Sequence, residues 1–323
     1  GTVTAVLNET RVEITTLRRD LRTDGRHAEI EYTKDWLEDA RRRDFTINTL
    51  LADQNGNILD PLQSGLEDLK NRIVRFVGDP AQRIEEDALR ILRFFRFQAF
   101  YGAYPPNQEA LNAIQEKTSH LSILSGERIT QEMTKLLSSS NSPQMLDLMF
   151  SFGMFHRISS NYSKQWLENL IQNQQSLKKN NVESRLICIA GKDLETIKNI
   201  EKYFVFSNRQ KKLISDIISS ADYIGHKSTE KKIRKSIYLF GKDATLQAEM
   251  INRAQQNKDI EVLKRYEIWQ VPVFPVKGKD LIDLGYSPGK DLGKTLKTLE
   301  KKWIESDFQL DKSSLLEYLQ IEK

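Results

Sequence analysis

Between Asp39 and Phe97 the chain sets two dense charged clusters into apolar sequence. The first is Arg41-Arg42-Arg43-Asp44-Phe45-Thr46-Ile47-Asn48. The second is Glu86-Asp87-Ala88-Leu89-Arg90-Ile91-Leu92-Arg93-Phe94-Phe95-Arg96-Phe97. Charges interleaved this closely with large apolar side chains destabilise a fold unless they find partners, because burying an unpaired charge is costly. Any fold of this chain must therefore give both clusters something to contact.

The rest of the composition sets bounds. A chain of 323 residues has room for two or more domains with a sizeable core. Charged residues make up 29% and hydrophobic residues 39%, a globular balance. No apolar run approaches the roughly 18 residues that span a bilayer, and Gly1 opens no secretory signal. The lone Cys188 lies in Leu186-Ile187-Cys188-Ile189-Ala190, which reads as a small buried hydrophobe. It cannot build a disulfide framework, and a reducing cytosol fits. Net charge is only +4, yet arginines crowd the first hundred residues and lysines the remainder. Lysine runs such as Lys231-Lys232-Ile233-Arg234-Lys235 and Lys294 to Lys302 are ordinary solvated helix faces or phosphate-attracting strips.

Pattern along the chain divides it. Thr2–Leu7 and Arg11–Leu17 are β-rich runs on either side of the turn signal Asn8-Glu9-Thr10, which predicts a hairpin. The polar stretch Arg18 to Lys34, with Thr23-Asp24-Gly25-Arg26, predicts a mobile loop. A helix is predicted over Phe45–Ala52, then a turn at Gln54-Asn55-Gly56-Asn57 and a short extended exit at Ile58–Pro61. From about residue 80 the periodicity is helical throughout. Pro80 and the acids Glu85, Glu86 and Asp87 predict a helix start there. One face of that helix carries Ala88, Leu92, Phe95 and Ala99, and the other Glu86, Arg90, Arg93 and Phe97. Gly102 and Pro105-Pro106 stop it. Helices are predicted at Asn107–Lys117 and, behind an N-cap at Ser125, to Leu137. Ser138 to Pro143 is a break and a candidate boundary. Pro272 to Pro288 reads as irregular, ahead of a long helix near Leu292–Glu305.

The second cluster has a chemical reading. Arg90 follows Asp87 by three residues, so on a helix the two side chains are neighbours. An ionised Asp only accepts hydrogen bonds and Arg only donates them. Adenine and cytosine present an amino donor beside a ring-nitrogen acceptor on their pairing edges, whereas guanine and uracil present the reverse. An Asp–Arg pair on a rigid helix could accept A and C and leave G or U with unpaired polar groups, at about 1–3 kcal/mol each. The alternative is an ordinary i,i+3 salt bridge of about 0.2–0.5 kcal/mol.

Both clusters resemble segments of the class II tRNA nucleotidyltransferases, the CCA-adding enzymes and bacterial poly(A) polymerases. The family's base-reading E-D-x-x-R segment stands here as Glu86-Asp87-Ala88-Leu89-Arg90, followed by Arg93 and Arg96. The resemblance implies that Asp87 and Arg90 face the incoming base and that Arg93 and Arg96 support the phosphates, where the guanidinium fork matches two oxygens. Its R-R-D-F-T-I-N segment stands as Arg42 to Asn48, which implies that Arg43, Asp44 and Asn48 contact triphosphate and ribose, with Phe45 and Ile47 in the core. Weaker likenesses flank these: Gly1-Thr2-Val3, Glu13 to Arg18, Asp60-Pro61 with Gly65 to Leu69, and Ser125-Gly126-Glu127-Arg128-Ile129, similar to a neck motif that braces the base-reading helix. Pro275 to Asp307 resembles a tail that holds the tRNA elbow.

The resemblance implies an α+β chain: a partial, polymerase-β-like α/β head over residues 1–75, followed by an all-α neck (76–140), body (141–225) and tail (226–323). It implies addition of C, C and A to tRNA from CTP and ATP, with Mg²⁺ as cofactor, tRNA as partner and no membrane. The loop at Asp24-Gly25-Arg26 is of the kind the family associates with the switch from C to A, so full CCA addition is expected over CC-only addition. A poly(A) polymerase and a tRNA-binding fragment without catalysis are the alternatives. The family's metal-binding carboxylates, an Asp-x-Asp pair behind a Gly-Ser helix start, match nothing here, and no Asp-x-Asp triplet occurs. The expectation is that this segment lies upstream of Gly1 in a longer chain, since a severed sheet would otherwise expose an unpaired edge; supply by another chain is the alternative. Glu13 is the candidate supporting catalytic carboxylate, with an exposed strand residue as its ordinary alternative. His27, His120, His156 and His226 are scattered, and His120 and His156 are expected to pack rather than ligate.

Overall fold

The computed structural model describes residues 1–23, 28–154, 162–191, 198 and 200–321. The chain forms two compact units. One comprises Gly1–Glu168 with Ile189–Phe206, the other Asn169–Cys188 with Ser207–Lys323. The α+β class is as expected: short antiparallel strand pairs lead, and helices follow.

In the first unit, β1 (Thr2–Leu7) and β2 (Thr10–Thr15) form the expected hairpin, with Val3 opposite Ile14 and Thr4 opposite Glu13. The turn at Asn8 and Glu9 takes left-handed backbone. The predicted loop after it is largely a second antiparallel pair, β3 (Arg18–Thr23) with β4 (Ala28–Tyr32). Charge concealed it: Arg19 opposite Glu31 makes a cross-strand ion pair at 2.7 Å, where a polar run without apolar alternation reads as loop. Asp24-Gly25-Arg26 lies outside the described residues.

Helix α1 (Trp36–Arg41) starts on Asp35, whose carboxylate accepts from the Leu37 N–H at 2.8 Å. The helix predicted over Phe45–Ala52 is absent. Thr46–Asn48 makes one 3₁₀ turn, and Leu51–Ala52 (β5) pairs with Ile58–Leu59 (β6). Three β-branched residues, Thr46, Ile47 and Thr49, weaken a helix here, and the two threonine hydroxyls prefer other partners. Thr46 donates to Asp68 at 2.6 Å and Thr49 to the Thr46 carbonyl at 2.7 Å. Helix α2 (Gly65–Lys70) lies so close that a Cβ on Gly65 would stand 2.5 Å from the Thr46 carbonyl oxygen, which accounts for glycine there.

The predicted helix from Pro80 is two helices, α3 (Pro80–Glu86) and α4 (Leu89–Tyr101). Asp87 breaks them. Its backbone is extended (φ −157°, ψ 107°), and its carboxylate takes the Leu89 N–H at 3.0 Å, a local capping bond that competes with helix continuation. The expected apolar face survives the break: Ala88, Leu92, Phe95 and Ala99 are all buried. Helices α5 (Gln108–Lys117) and α6 (Gly126–Ser138) follow near their predicted bounds, and α7 (Ser142–Ser151) starts within the predicted break at Ser138 to Pro143. Asn107 caps α5 through its side chain, whereas Ser125 stands at the start of α6 without such a bond. An aromatic core joins the two sequence clusters: Phe45 lies 5.0 Å from Phe76, 6.2 Å from Phe94 and 5.0 Å from Phe97, ring centre to ring centre.

The second unit is helical. It includes α8 (Asn208–Ile224), opened by a Ser207–Gln210 capping box, α9 (Glu230–Phe240) and α10 (Lys242–Gln256). A buried hydroxyl chain links them, Ser220 to Ser236 at 2.6 Å and Ser236 to Thr245 at 3.1 Å. Cys188 is buried as expected. Inside the predicted irregular stretch sits a short helix, α11 (Gly278–Asp283). The long helix α12 (Lys290–Glu305) packs Leu299 and Trp303 against Leu281, Leu315 and Leu319. Its Lys290, Lys294, Lys297 and Lys301 are exposed and share one face at helical spacing. No described helix is long and apolar enough to cross a membrane.

Candidate nucleotide-binding site

The two charged clusters meet. The Phe45–Phe76 bridge, with the Thr46 N–H donating to the Arg75 carbonyl at 3.0 Å and the Val77 N–H to the Asp44 carbonyl at 2.9 Å, pins the first cluster. Asp44 is thereby fixed in a buried position. Its carboxylate accepts from the Phe45 N–H at 3.0 Å, from the Asn48 amide at 2.9 Å and from Arg93 on α4 at 2.5 Å. The Asn48 backbone carbonyl accepts from Arg43 at 2.7 Å. Arg43, Asp44, Asn48 and Arg93, distant in sequence, are thus one hydrogen-bonded group.

Three carboxylates that sequence reasoning missed as partners hold the arginines. Asp39, buried on α1, accepts from Arg42 at 2.6 Å, from Arg43 at 3.0 Å and from the Arg18 N–H at 3.2 Å. Glu132, buried on α6, accepts from Arg96 at 2.6 Å and lies 3.8 Å from Arg93. Glu86 binds both Arg83 and Arg90 at 2.5 Å. A signal for Glu132 was present. It is a lone acid on the apolar face formed by Ile129, Met133 and Leu136, and acids are almost never fully buried without a paired cation. Arg83 was also missed. It donates to the carbonyls of Arg42 and Arg43, both at 2.5 Å, and so ties α3 to the first cluster.

The expected Asp87–Arg90 side-chain pair does not form, because Asp87 sits outside the helix. Only the backbones meet, the Arg90 N–H donating to the Asp87 carbonyl at 3.0 Å. Asp87 instead pairs with Arg128 on α6 at 2.6 Å, and Arg90 donates to Glu86 and, at 2.8 Å, to the Arg83 carbonyl. The motif that contains Arg128 therefore does brace the Glu86–Arg90 segment, through a direct ion pair to Asp87. Glu13 is apart from these contacts. It is exposed on β2, and its side chain has no hydrogen bond or ion pair among the described residues. His120 is half-buried and His226 exposed, while His27 and His156 lie outside the described residues. No cluster of three or more His, Cys, Asp or Glu suited to a metal ion occurs among the described residues.

Electrostatics follow from this packing. Burial pushes the Asp44 carboxyl up, but the Arg93 charge and the hydrogen bonds from Arg93, Asn48 and Phe45 outweigh it and hold the group below its ordinary value. At Asp39 burial acts in the same upward direction, and Arg42, the Arg18 N–H and Arg43 together overcome it. Both carboxylates are ionised more readily folded than unfolded. Their stabilisation is fully present above the unfolded value near pH ~4 and is lost as pH falls through the folded values. Melting temperature is expected to drop on the acid side, and Asp44→Asn to flatten part of that limb. An identical acid limb in the variant would assign it to other carboxylates.

This arrangement can bind an anion and read a polar edge. Arg43, Arg90, Arg93 and Arg96 are fixed at defined orientations, and a guanidinium carries five N–H donors, more than the bonds that fix each one use. Known proteins resemble the chain over its whole length. Residues 1–75 match a family model described as the poly A polymerase head domain, and 106–172 one described as a "Probable RNA and SrmB- binding site of polymerase A". A tRNA nucleotidyltransferase domain 2 model matches 174–319. The chain is 35% identical to CCA tRNA nucleotidyltransferase 1, mitochondrial, of Danio rerio over 99% of this chain and 75% of that protein. It is 31% identical to the CCA-adding enzyme of Streptococcus gordonii, over 100% of this chain and 82% of that one. The fold matches a Bacillus stearothermophilus CCA-adding enzyme solved with CTP at a TM-score of 0.71 and 24% identity, covering 100% of this chain and 82% of that one.

Proposed function

The chain belongs to the CCA tRNA nucleotidyltransferase family, and from that premise we infer that it adds C, C and A to the 3′ end of tRNA from CTP and ATP without a template. The observation that carries the reading is the fixed Asp87–Arg90 segment, joined through Arg93 and Asp44 to the Arg43–Asn48 group. In this reading Asp87 accepts from the amino group of C or A. A carboxylate has about four lone-pair sites, so its bonds to Arg128 and the Leu89 N–H leave capacity for the base. Arg90 donates to the ring nitrogen, its fork oriented by Glu86 and Arg83. Arg43, Arg93 and Arg96 support the triphosphate, and Asn48 the ribose. The head, neck, body and tail are taken as residues 1–75, 76–140, 141–225 and 226–323.

Enzymes of this family are metal-dependent, and we take the ion to be Mg²⁺. The described residues do not fit such an ion. Asp39 and Asp44 are engaged by arginines, and Glu13, the candidate supporting carboxylate, stands alone on its strand. We place its site of action in the cytoplasm, where a single buried thiol stays reduced.

The test is nucleotide incorporation on tRNA lacking its 3′ CCA, with each NTP alone and in mixtures. Incorporation of C and then A is expected; A alone on any RNA would favour polyadenylation instead. Affinity for tRNA is expected to fall steeply with salt, because the exposed lysine face of α12 would displace counterions from phosphates. A flat salt dependence would remove that face from the RNA interface.

A further inference from the structure

At the end of α4 opposite the base-reading segment, about 18 Å along the helix axis from Arg90, the first unit holds a notch of about 240 Å³. Its lining includes Arg72, Gln98, Gly102, Tyr104, Asn141 and Gln144. The notch is built rather than incidental. The Arg72 guanidinium donates to the Gly102 carbonyl at 3.3 Å, and the Arg72 backbone carbonyl accepts the Ala103 N–H at 2.7 Å. Gln98 is only 3% exposed and donates to the Ala103 carbonyl at 2.5 Å. Asn141, where α7 begins, donates to the Ala99 carbonyl at 2.9 Å, and no side chain caps the first turn of α7. A Cβ on Gly102 would stand 2.2 Å from the Gln98 amide, so glycine keeps that side chain in place.

Two features of the notch point to a ligand. The Gln98 and Gln144 side-chain oxygens are both buried with no hydrogen-bond partner among the described residues, and a buried unpaired acceptor is costly. Beside them stand a guanidinium and the exposed ring of Tyr104. Acceptors for an amino group, a cation for a phosphate and a flat aromatic surface together match the groups of one nucleotide, which a notch below the ~300–1,000 Å³ of enclosing ligand pockets would hold partly exposed. We propose that the notch seats a single nucleotide of the RNA substrate, its amino group on Gln98 and Gln144, its ring on Tyr104 and its phosphate on Arg72. The inference rests on tRNA being the substrate.

Tyr104→Ala and Arg72→Gln in the full chain test it, with binding of labelled tRNA lacking CCA as the readout. Each variant is expected to weaken tRNA binding about tenfold, since stacking and phosphate contacts are of that order, with CTP binding unchanged. Arg72→Gln should also lower the salt slope by about one. Both variants binding tRNA like the parent chain would overturn the proposal. If the parent chain binds no tRNA at all, the functional reading fails separately, and titration with CMP then judges the notch. CMP binding lost in Tyr104→Ala would support a nucleotide site filled from free nucleotide, and binding that is absent or unaffected would overturn it.

Discussion

Asp44→Ala is expected to cut nucleotide incorporation by about 100-fold and to lower the melting temperature of the chain. The carboxylate is the junction of the two clusters, buried and bonded to Arg93, Asn48 and the Phe45 N–H. Removing one partner of a buried pair typically costs about 3–5 kcal/mol. Arg93 keeps about a quarter of its side chain exposed, so a figure nearer ~2–3 kcal/mol is expected, several degrees of melting temperature for a unit of this size. The larger effect is on activity. Without Asp44, Arg93 retains the longer contact to Glu132 and its place over the Phe97 ring, and Asn48 loses the acceptor that orients it. Small misplacements of positioning groups are enough to cost about two orders of magnitude in rate. Asp44→Asn keeps an acceptor for the Phe45 N–H and separates shape from charge. A variant that melts early yet incorporates CTP at the parent rate would remove Asp44 from the nucleotide site and leave it a structural residue.

What sequence revealed depended on the range of the interaction. The β1–β2 hairpin was legible because alternation and a turn signal are local. So was the buried face of α4, because residues three and four apart share a helix face. The Asp87 break was not, since it turns on one carboxylate choosing the Leu89 N–H and Arg128 over helix geometry. The second strand pair was hidden by its charge, and the Thr46–Asn48 turn by a bond to Asp68, far along the chain. At the site, the arginines and Asp44 stood out as motif residues. Their holders were legible unevenly: Glu86 and Arg128 stood in motifs, whereas Asp39, though only three and four residues from Arg42 and Arg43, and Glu132, whose arginines come from another helix, were not singled out, although a lone acid on the apolar face of α6 was a readable hint.

The division of partners at the Glu86–Arg90 segment yields the second large prediction. Asp87→Ala is expected to relax base choice, lowering the preference for CTP and ATP over GTP and UTP by roughly 10–100-fold, as one unmade or mismatched polar contact of ~1–3 kcal/mol implies. Two other consequences of the substitution must be separated from this. Asp87 caps the Leu89 N–H, a loss of about 1 kcal/mol in stability, and it neutralises Arg128. Neither depends on which base is bound. Both would therefore lower kcat/KM for the four nucleotides alike, whereas loss of a base contact changes their ratios. Arg128→Ala is the companion variant: it removes the brace but leaves the carboxylate and its cap. If Asp87 touches the base, Asp87→Ala should collapse the ratios while Arg128→Ala mainly lowers all four rates. Equal loss across CTP, ATP, GTP and UTP in Asp87→Ala would sink the base-reading role, and Asp87 would then serve only to end one helix and start the next.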